Sequence, residues 1–483
     1  MMEKRISLSV QSVENISVIV IMVLAALMRF FHYADWSLSN DELSALNRLR
    51  FDSFFEMILL GARHDGHPAG VQTLLWWWTH LFGNNPSIIR LPFVIFGTLA
   101  VYYIFLIGKK FFGTNTGLFA AATIAFLEYP ILYSQIARPY SPGLLFSLMT
   151  IFYWSIVVFD TQRKTGHYIA FALSAVLAAY THYFSFLLVF IVGLSGLVFY
   201  RRLNLPKYLG AGFLVFVLYI PHLEIFFYQL SLGGSGGPDG WLGRPGLSWI
   251  FRYLWYAFNE STVLILLPLA IFCISYFWRK PKITHFHILA TSWFVIVFIV
   301  GFAYSIIINP VLQYSVLLFV FPFLPLMAFS FIHQKPNKYI LVLLFGYLGL
   351  GCFHTIEFNR YYQKQHFGEF KGVAEKIAQW NGEFGAENIS STVVVNAPYY
   401  INFYLDTLMP DIEIEKYEYR NDECFIELEE ILNKSKSQYY IYAWTKPAPA
   451  KIHELILKWY PEVVEQVNYS ELSEVTLYSK KAR

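Results

Sequence analysis

Asn15-Ile16-Ser17-Val18-Ile19-Val20-Ile21-Met22-Val23-Leu24-Ala25-Ala26-Leu27-Met28-Arg29-Phe30 is followed at once by Ala34-Asp35-Trp36-Ser37-Leu38-Ser39-Asn40-Asp41-Glu42-Leu43-Ser44. An apolar run long enough to cross a bilayer thus delivers a pair of carboxylates to the membrane surface. One carboxylate there can take a proton from an incoming hydroxyl while its neighbour positions a partner. The plainer reading is a polar helix start, with Ser39 or Asn40 as cap and the acids in the first turn.

The rest of the chain is built like that first run. It has 483 residues, 56% hydrophobic and 19% aromatic, and only 14% are charged. Soluble domains carry roughly 25% charged residues, so the composition excludes a soluble protein. A net charge of +3 gives no reason to expect nucleic acid. Cys273 and Cys352 lie in apolar stretches, so the three cysteines imply no disulfide framework. The N-terminus lacks the small-residue cleavage site of a signal peptide, so the first span is expected to stay.

Window length places about eleven transmembrane helices, near 14–34, 87–108, 116–134, 140–159, 167–182, 184–200, 206–226, 260–278, 285–308, 312–332 and 338–354. The polar Tyr180-Thr181-His182-Tyr183 divides 167–200 into two. Every alternate turn is basic: Lys109-Lys110, Arg163-Lys164, Arg201-Arg202 with Lys207, Arg279-Lys280 with Lys282, and Lys335 with Lys338. Basic turns face the cytoplasm. The N-terminus is then cytoplasmic, and both the loop 35–86 and the tail are outside. In that loop Val71–Trp78 is amphipathic and tryptophan-rich, as in helices lying in the interface plane. Gly233-Gly234-Ser235-Gly236-Gly237-Pro238-Asp239-Gly240 reads as a flexible connector or a lid.

The tail has the charge density of a soluble domain. Helices are expected over Phe370–Trp380, Cys424–Asn433 and Lys451–Trp459, and strands over Ser391–Asn396 and Gln438–Tyr442. That alternation predicts a small α/β domain. The expected organisation is a transmembrane domain over 1–354 and an extracytoplasmic α/β domain over 355–483.

The polar residues collect at one membrane face. They are Asp41, Glu42, His64, Asp65 and His67 in the first outer loop, Arg90, then Gln135, Arg138 and Tyr140, then His182, and finally Gln313 and Tyr314. Ionisable residues at membrane depth are costly and mark sites. Arginine suits a phosphate through paired hydrogen bonds. Each residue also has a plainer reading. Arg90 and Arg138 can snorkel to headgroups, as Arg48, Arg50 and Arg63 are expected to do, and His182 can be a helix-end histidine.

Asp41-Glu42, His67-Pro68, Arg90-Leu91-Pro92, Tyr133-Ser134-Gln135-Ile136-Ala137-Arg138-Pro139-Tyr140 and Tyr180-Thr181-His182-Tyr183-Phe184 together resemble the bacterial branch of the dolichyl-phosphate-mannose protein mannosyltransferase family, which includes aminoarabinose transferases. The resemblance runs over residues 15–335. It departs at Gln313, where members often carry arginine, and at Ala69, where a second proline is more usual. It implies a C-type glycosyltransferase fold and transfer, with inversion, of a sugar from a polyprenyl-phosphate donor to a protein, lipid or glycan acceptor outside a bacterial inner membrane. The roles implied are Asp41 and Glu42 as catalytic carboxylates and Arg90 and Arg138 on the donor phosphate. His67, Gln135, Tyr140, His182 and Tyr314 would contact substrate. No resident cofactor is required, although Glu42 with His182 is a candidate divalent-metal pair. The alternatives are a transporter or lipid-linked sugar flippase and a non-catalytic partner subunit. The polar residues at one face, not the midplane, argue against the first, as does the lack of an internal repeat.

The layout is tested by cysteine labelling in intact cells. A cysteine beside Lys164 should be protected and one beside Gly236 labelled. Equal labelling of the two from outside would overturn the topology.

Overall fold

The computed structural model describes residues 10–232, 242–279, 281–334, 336–394, 399–410, 415–417, 424–444, 450–469 and 473–480. The glycine-rich run Gly233–Gly240 lies outside the described residues, as do Lys280, Lys335, Val395 and Asn396. The chain divides into two compact units. One comprises residues 1–33 and 48–361, the other 34–47 and 362–483.

The first unit is helical. Among the described residues, six helices are long and apolar enough to cross a membrane. They are Gln11–Phe30, Pro86–Phe111, Tyr140–Phe159, Leu205–Ser231, His285–Ile307 and Lys338–Gln363. A seventh arises if Trp249–Ala257 and Thr262–Trp278, which meet at 95°, count as one span. Thr165–Thr181, Tyr183–Leu197 and Thr114–Phe126 are shorter helices. The division of 167–200 falls at His182, whose backbone is extended and whose ring accepts a hydrogen bond from the Phe184 N–H. Each remaining expected span contains helix, but 116–134 and 312–332 are broken. The first stops at Phe126, passes through extended Leu127 and resumes over Glu128–Leu132. The second is a 3-10 turn over Ser315–Phe319 and a short helix over Phe323–Ala328, with Pro322 and Pro325 in the run.

Backbone groups freed at these breaks have no water to turn to inside a membrane, so side chains take them. Thr355 Oγ1 donates to Phe126 O at 2.7 Å, and Asn259 Oδ1 accepts from Glu128 N at 2.9 Å. Arg29, fully buried, donates to Ile124 O at 2.8 Å and Ala125 O at 3.2 Å. A cation at the last carbonyls of Thr114–Phe126 also meets the negative end of that helix. Gln135 Nε2 in turn donates to Arg29 O at 2.9 Å and Phe31 O at 3.0 Å. The helix Thr114–Phe126 is buried from Asn115 to Phe126 and is the centre of the unit.

The second unit is a five-stranded sheet with helices. The strands are β1 (Ile389–Val394), β2 (Glu415–Tyr417), β3 (Tyr439–Trp444), β4 (Glu462–Tyr469) and β5 (Ser473–Ser479), in the order β2-β1-β3-β5-β4. β1 runs parallel to β2 and β3, and β5 antiparallel to β3 and β4. Tyr440, Tyr442 and Tyr478 pack with Leu428, Ile456 and Tyr460 in its core. The segment 34–47 is tied to this unit. Ser37 Oγ accepts from Phe370 N at 3.0 Å and Lys371 N at 3.1 Å, supplying an acceptor to the start of the helix Phe370–Phe384. Leu38 N donates to Tyr404 OH at 2.7 Å.

In the first unit, Pro86–Phe111 and Thr114–Phe126 cross where Gly108 meets Gly117. A Cβ on Gly117 would lie 2.5 Å from Phe105 O. Small residues let membrane helices approach this closely. Gly117→Val should therefore lower folded yield and melting temperature in detergent, at an overpacking cost of about 1–3 kcal/mol. Wild-type melting would mean that the crossing is loose.

Candidate functional site

The segment after Gly61 makes a 3-10 turn over Ala62–His64, then extends at Asp65 and reaches the helix Gly70–Phe82. It leaves the Asp65 carboxylate 5% exposed. Burying a carboxylate is tolerable only with partners. Gly66 N donates to Oδ1 at 2.7 Å, and Gln72, from the first turns of the next helix, donates to Oδ2. Arg48 Nη1 lies 3.7 Å from Oδ1 and Arg138 Nη1 3.9 Å from Oδ2.

His67 completes the group. Its Nδ1 lies 3.3 Å from Asp65 Oδ1 and 3.1 Å from Arg138 Nη2. A protonated Nδ1 donates to the carboxylate; a bare Nδ1 accepts from the guanidinium. The His67 and His182 rings are 5.1 Å apart, and the Tyr140 ring is 6.2 Å from His182. Burial works to raise the Asp65 carboxyl. The hydrogen bond and charge of His67, with the charges of Arg138 and Arg48, outweigh it and hold the carboxyl well below the usual carboxylate range.

Four residues expected at the site, His67, Arg138, Tyr140 and His182, are thus gathered. The other expected residues have these surroundings. Arg90 is fully buried and donates from Nη1 to Tyr33 O at 3.0 Å. Gln135 bonds Arg29 O and Phe31 O and accepts from Tyr361 OH at 2.8 Å. Tyr314 stacks on Tyr256 at 5.0 Å in a tyrosine group that includes Tyr129 and Tyr253. Asp41 and Glu42 belong to the second unit. There Glu42 Oε2 accepts from Ser39 N at 2.8 Å and Ser39 Oγ from Glu42 N at 3.3 Å, a reciprocal capping box at the start of Asn40–Asn47. Asp41 is exposed. Glu42 and His182 lie in different units, and among the described residues no group of three or more His, Cys, Asp or Glu side chains is arranged to hold a metal.

Sequence reading put Asp65 among the outer polar residues but gave it no role, passed over Gln72, and sent Arg48 to the headgroups. The signal was local. Asp65 stands two residues before His67 and seven before Gln72, and its carboxylate meets both side chains.

A depressed carboxyl contributes stability above its unfolded pKa of about 4 and loses that contribution only as pH falls below it. Asp65→Asn should therefore destabilise the protein by about 3–5 kcal/mol at neutral pH, because it removes the buried carboxylate that Arg138 and His67 face. The difference from wild type should shrink on acidification below about pH 4. Thermal unfolding in detergent across that range is the measurement; equal stability at neutral pH would refute the carboxylate's role.

Residues 66–225 match the model of the family described as dolichyl-phosphate-mannose-protein mannosyltransferase. No curated protein sequence matches the chain. Among solved structures, ArnT from Cupriavidus metallidurans in the apo state is similar, with a TM-score of 0.56 and 13% identity over 96% of this chain and 98% of ArnT. ArnT bound to undecaprenyl phosphate gives 0.53 and 12% over 95% and 97%. The Archaeoglobus fulgidus oligosaccharyltransferase tethered to an acceptor peptide gives 0.51 and 10% over 92% of this chain and 70% of that one. The chain is therefore an α-helical polytopic membrane protein with the C-type glycosyltransferase fold and a small C-terminal α/β unit, and it resembles the mannosyltransferase family in the stretch that carries His67, Arg138, Tyr140 and His182.

Proposed function

We propose that this protein is a membrane glycosyltransferase that moves a sugar, with inversion, from a polyprenyl-phosphate donor to an acceptor hydroxyl on the outer side of a bacterial inner membrane. The observation that carries the reading is the group of charged and polar side chains around the buried Asp65. Of these, His67, Gln72, Arg138, Tyr140 and His182 fall within the stretch matching the mannosyltransferase family. ArnT, whose fold this chain shares, has been captured with a polyprenyl phosphate of the proposed class. The basic turns at Lys109-Lys110, Arg163-Lys164 and Arg201-Arg202 support a cytoplasmic N-terminus and an outer location for the tail beyond residue 354.

The chemistry follows from the residues. The acceptor oxygen bonds to the anomeric carbon as the bond from that carbon to the phosphate oxygen breaks. The electron pair leaves with polyprenyl phosphate. Arg138 and His67 stabilise the charge that grows there, because donors already aimed at a developing anion need no reorganisation. We assign the acceptor's proton to Asp41. It is an exposed carboxylate, whereas Glu42 is committed to its helix cap. Arg90, bonded to Tyr33 O, is assigned to holding the chain that leads into the Asp41 segment, and Arg138 is the better supported phosphate ligand.

Single-turnover release of polyprenyl phosphate from a glycosylated donor tests both roles. Asp41→Asn should slow transfer about 10²–10⁴-fold with donor binding kept. Arg138→Ala should lose donor binding, and Arg138→Lys should regain only part, since lysine keeps the charge but not the fork. Wild-type kinetics in Asp41→Asn and Arg138→Ala together would sink the proposal.

A further inference from the structure

One short helix and the turn before it make several side-chain bonds to the segment that carries Asp65 and His67. The helix Leu223–Ser231 follows a 3-10 turn over Ile220–His222. Gln229, nearly buried, donates from Nε2 to Ala62 O at 3.1 Å and to His67 O at 3.0 Å. Its Oε1 accepts from Tyr183 OH, the neighbour of His182. Arg63 pairs with Glu224 at 2.5 Å and lies 3.8 Å over the Tyr228 ring. Tyr228 OH is 3.0 Å from His64 Nδ1. At the far end of the segment, Ala69 N donates to His222 Nε2 at 3.0 Å.

That last bond needs an N–H at position 69. A second proline after His67-Pro68, more usual in the family it resembles, has no N–H to give. Here alanine supplies one, and the buried His222 receives it. Both ends of the 62–69 segment are therefore held by residues 222–229, and the bond to the His67 carbonyl fixes the backbone beneath the imidazole.

We propose that Gln229 and His222 are positioning residues that clamp the 62–69 segment so that His67 and Asp65 present a preformed site for a lipid phosphate. This rests on the donor reading above. Neither residue touches the phosphate; each acts through the backbone of the segment. A loop held in its bound shape spends less free energy on ordering when ligand arrives, so the clamp acts on affinity.

The test uses undecaprenyl phosphate as probe with the purified full-length protein. Binding and thermal unfolding are measured for the wild type, Gln229→Leu, Ala69→Pro and Arg138→Ala. Loss of one net buried hydrogen bond corresponds to binding about tenfold weaker. The expected result is that loss in the folded fraction of both Gln229→Leu and Ala69→Pro, whatever either does to the unfolding temperature. A purely structural bond would lower the unfolding temperature and leave the affinity of the folded fraction unchanged. If Gln229→Leu does not fold, Ala69→Pro decides alone. Wild-type affinity in Ala69→Pro, with binding lost in Arg138→Ala, would overturn the clamp and leave the donor reading standing. Wild-type affinity in Arg138→Ala would overturn the donor reading and the clamp with it.

Discussion

A buried carboxylate must be surrounded before it can stay charged, and Asp65 organises much of the first unit on that account. Its partners come from three parts of the chain: Arg48 before it, His67 and Gln72 just after it, and Arg138 from another connection. Under the proposed function, Asp65 holds Arg138 and His67 in position for the donor phosphate, whose negative charge grows as the glycosidic bond breaks.

The same rule, that polar groups in an apolar interior need internal partners, shapes the helices. Arg29 closes the end of Thr114–Phe126, Gln135 closes the end of Val10–Phe30, and Tyr361 holds Gln135. Asn259, itself at positive φ, bonds Glu128 N and Thr355, while Asn359 bonds Glu128 and the Asn259 carbonyl. These ties explain why the apolar stretch 116–134 need not be a continuous helix. The break at Leu127 is affordable because its freed groups meet side chains from distant parts of the chain.

Much of this was legible in the sequence. Long apolar runs located the helices, and Tyr180-Thr181-His182 marked a break that the structure also has. In the second unit, β1, β3 and three helices were expected. The β4–β5 pair was not, because Glu462 and Glu465 interrupt β4 and Val463 and Val464 on it are exposed, so it lacks the alternation of a half-buried strand. The breaks at Leu127 and within 312–332 were hidden because composition reports hydropathy and not the long-range bonds that stabilise an interruption. At the site, residue type marked Arg138, His67, Tyr140 and His182 as outer polar residues. It could not show that Gln135 and Arg90 also bond backbone carbonyls. Whether a polar side chain serves the fold or a ligand depends on partners brought from far along the chain.

The carboxylate pair shows how such a division arises between adjacent residues. Successive side chains on a helix point roughly 100° apart. Ser39 as cap makes Glu42 the third helical residue, the position whose side chain returns to the cap N–H. Glu42 is therefore turned inward and buried, and Asp41 is turned outward. The helix start and the catalytic base were rival readings of one dipeptide. The capping geometry separates the two residues: Glu42 is buried in the cap, and Asp41 is exposed.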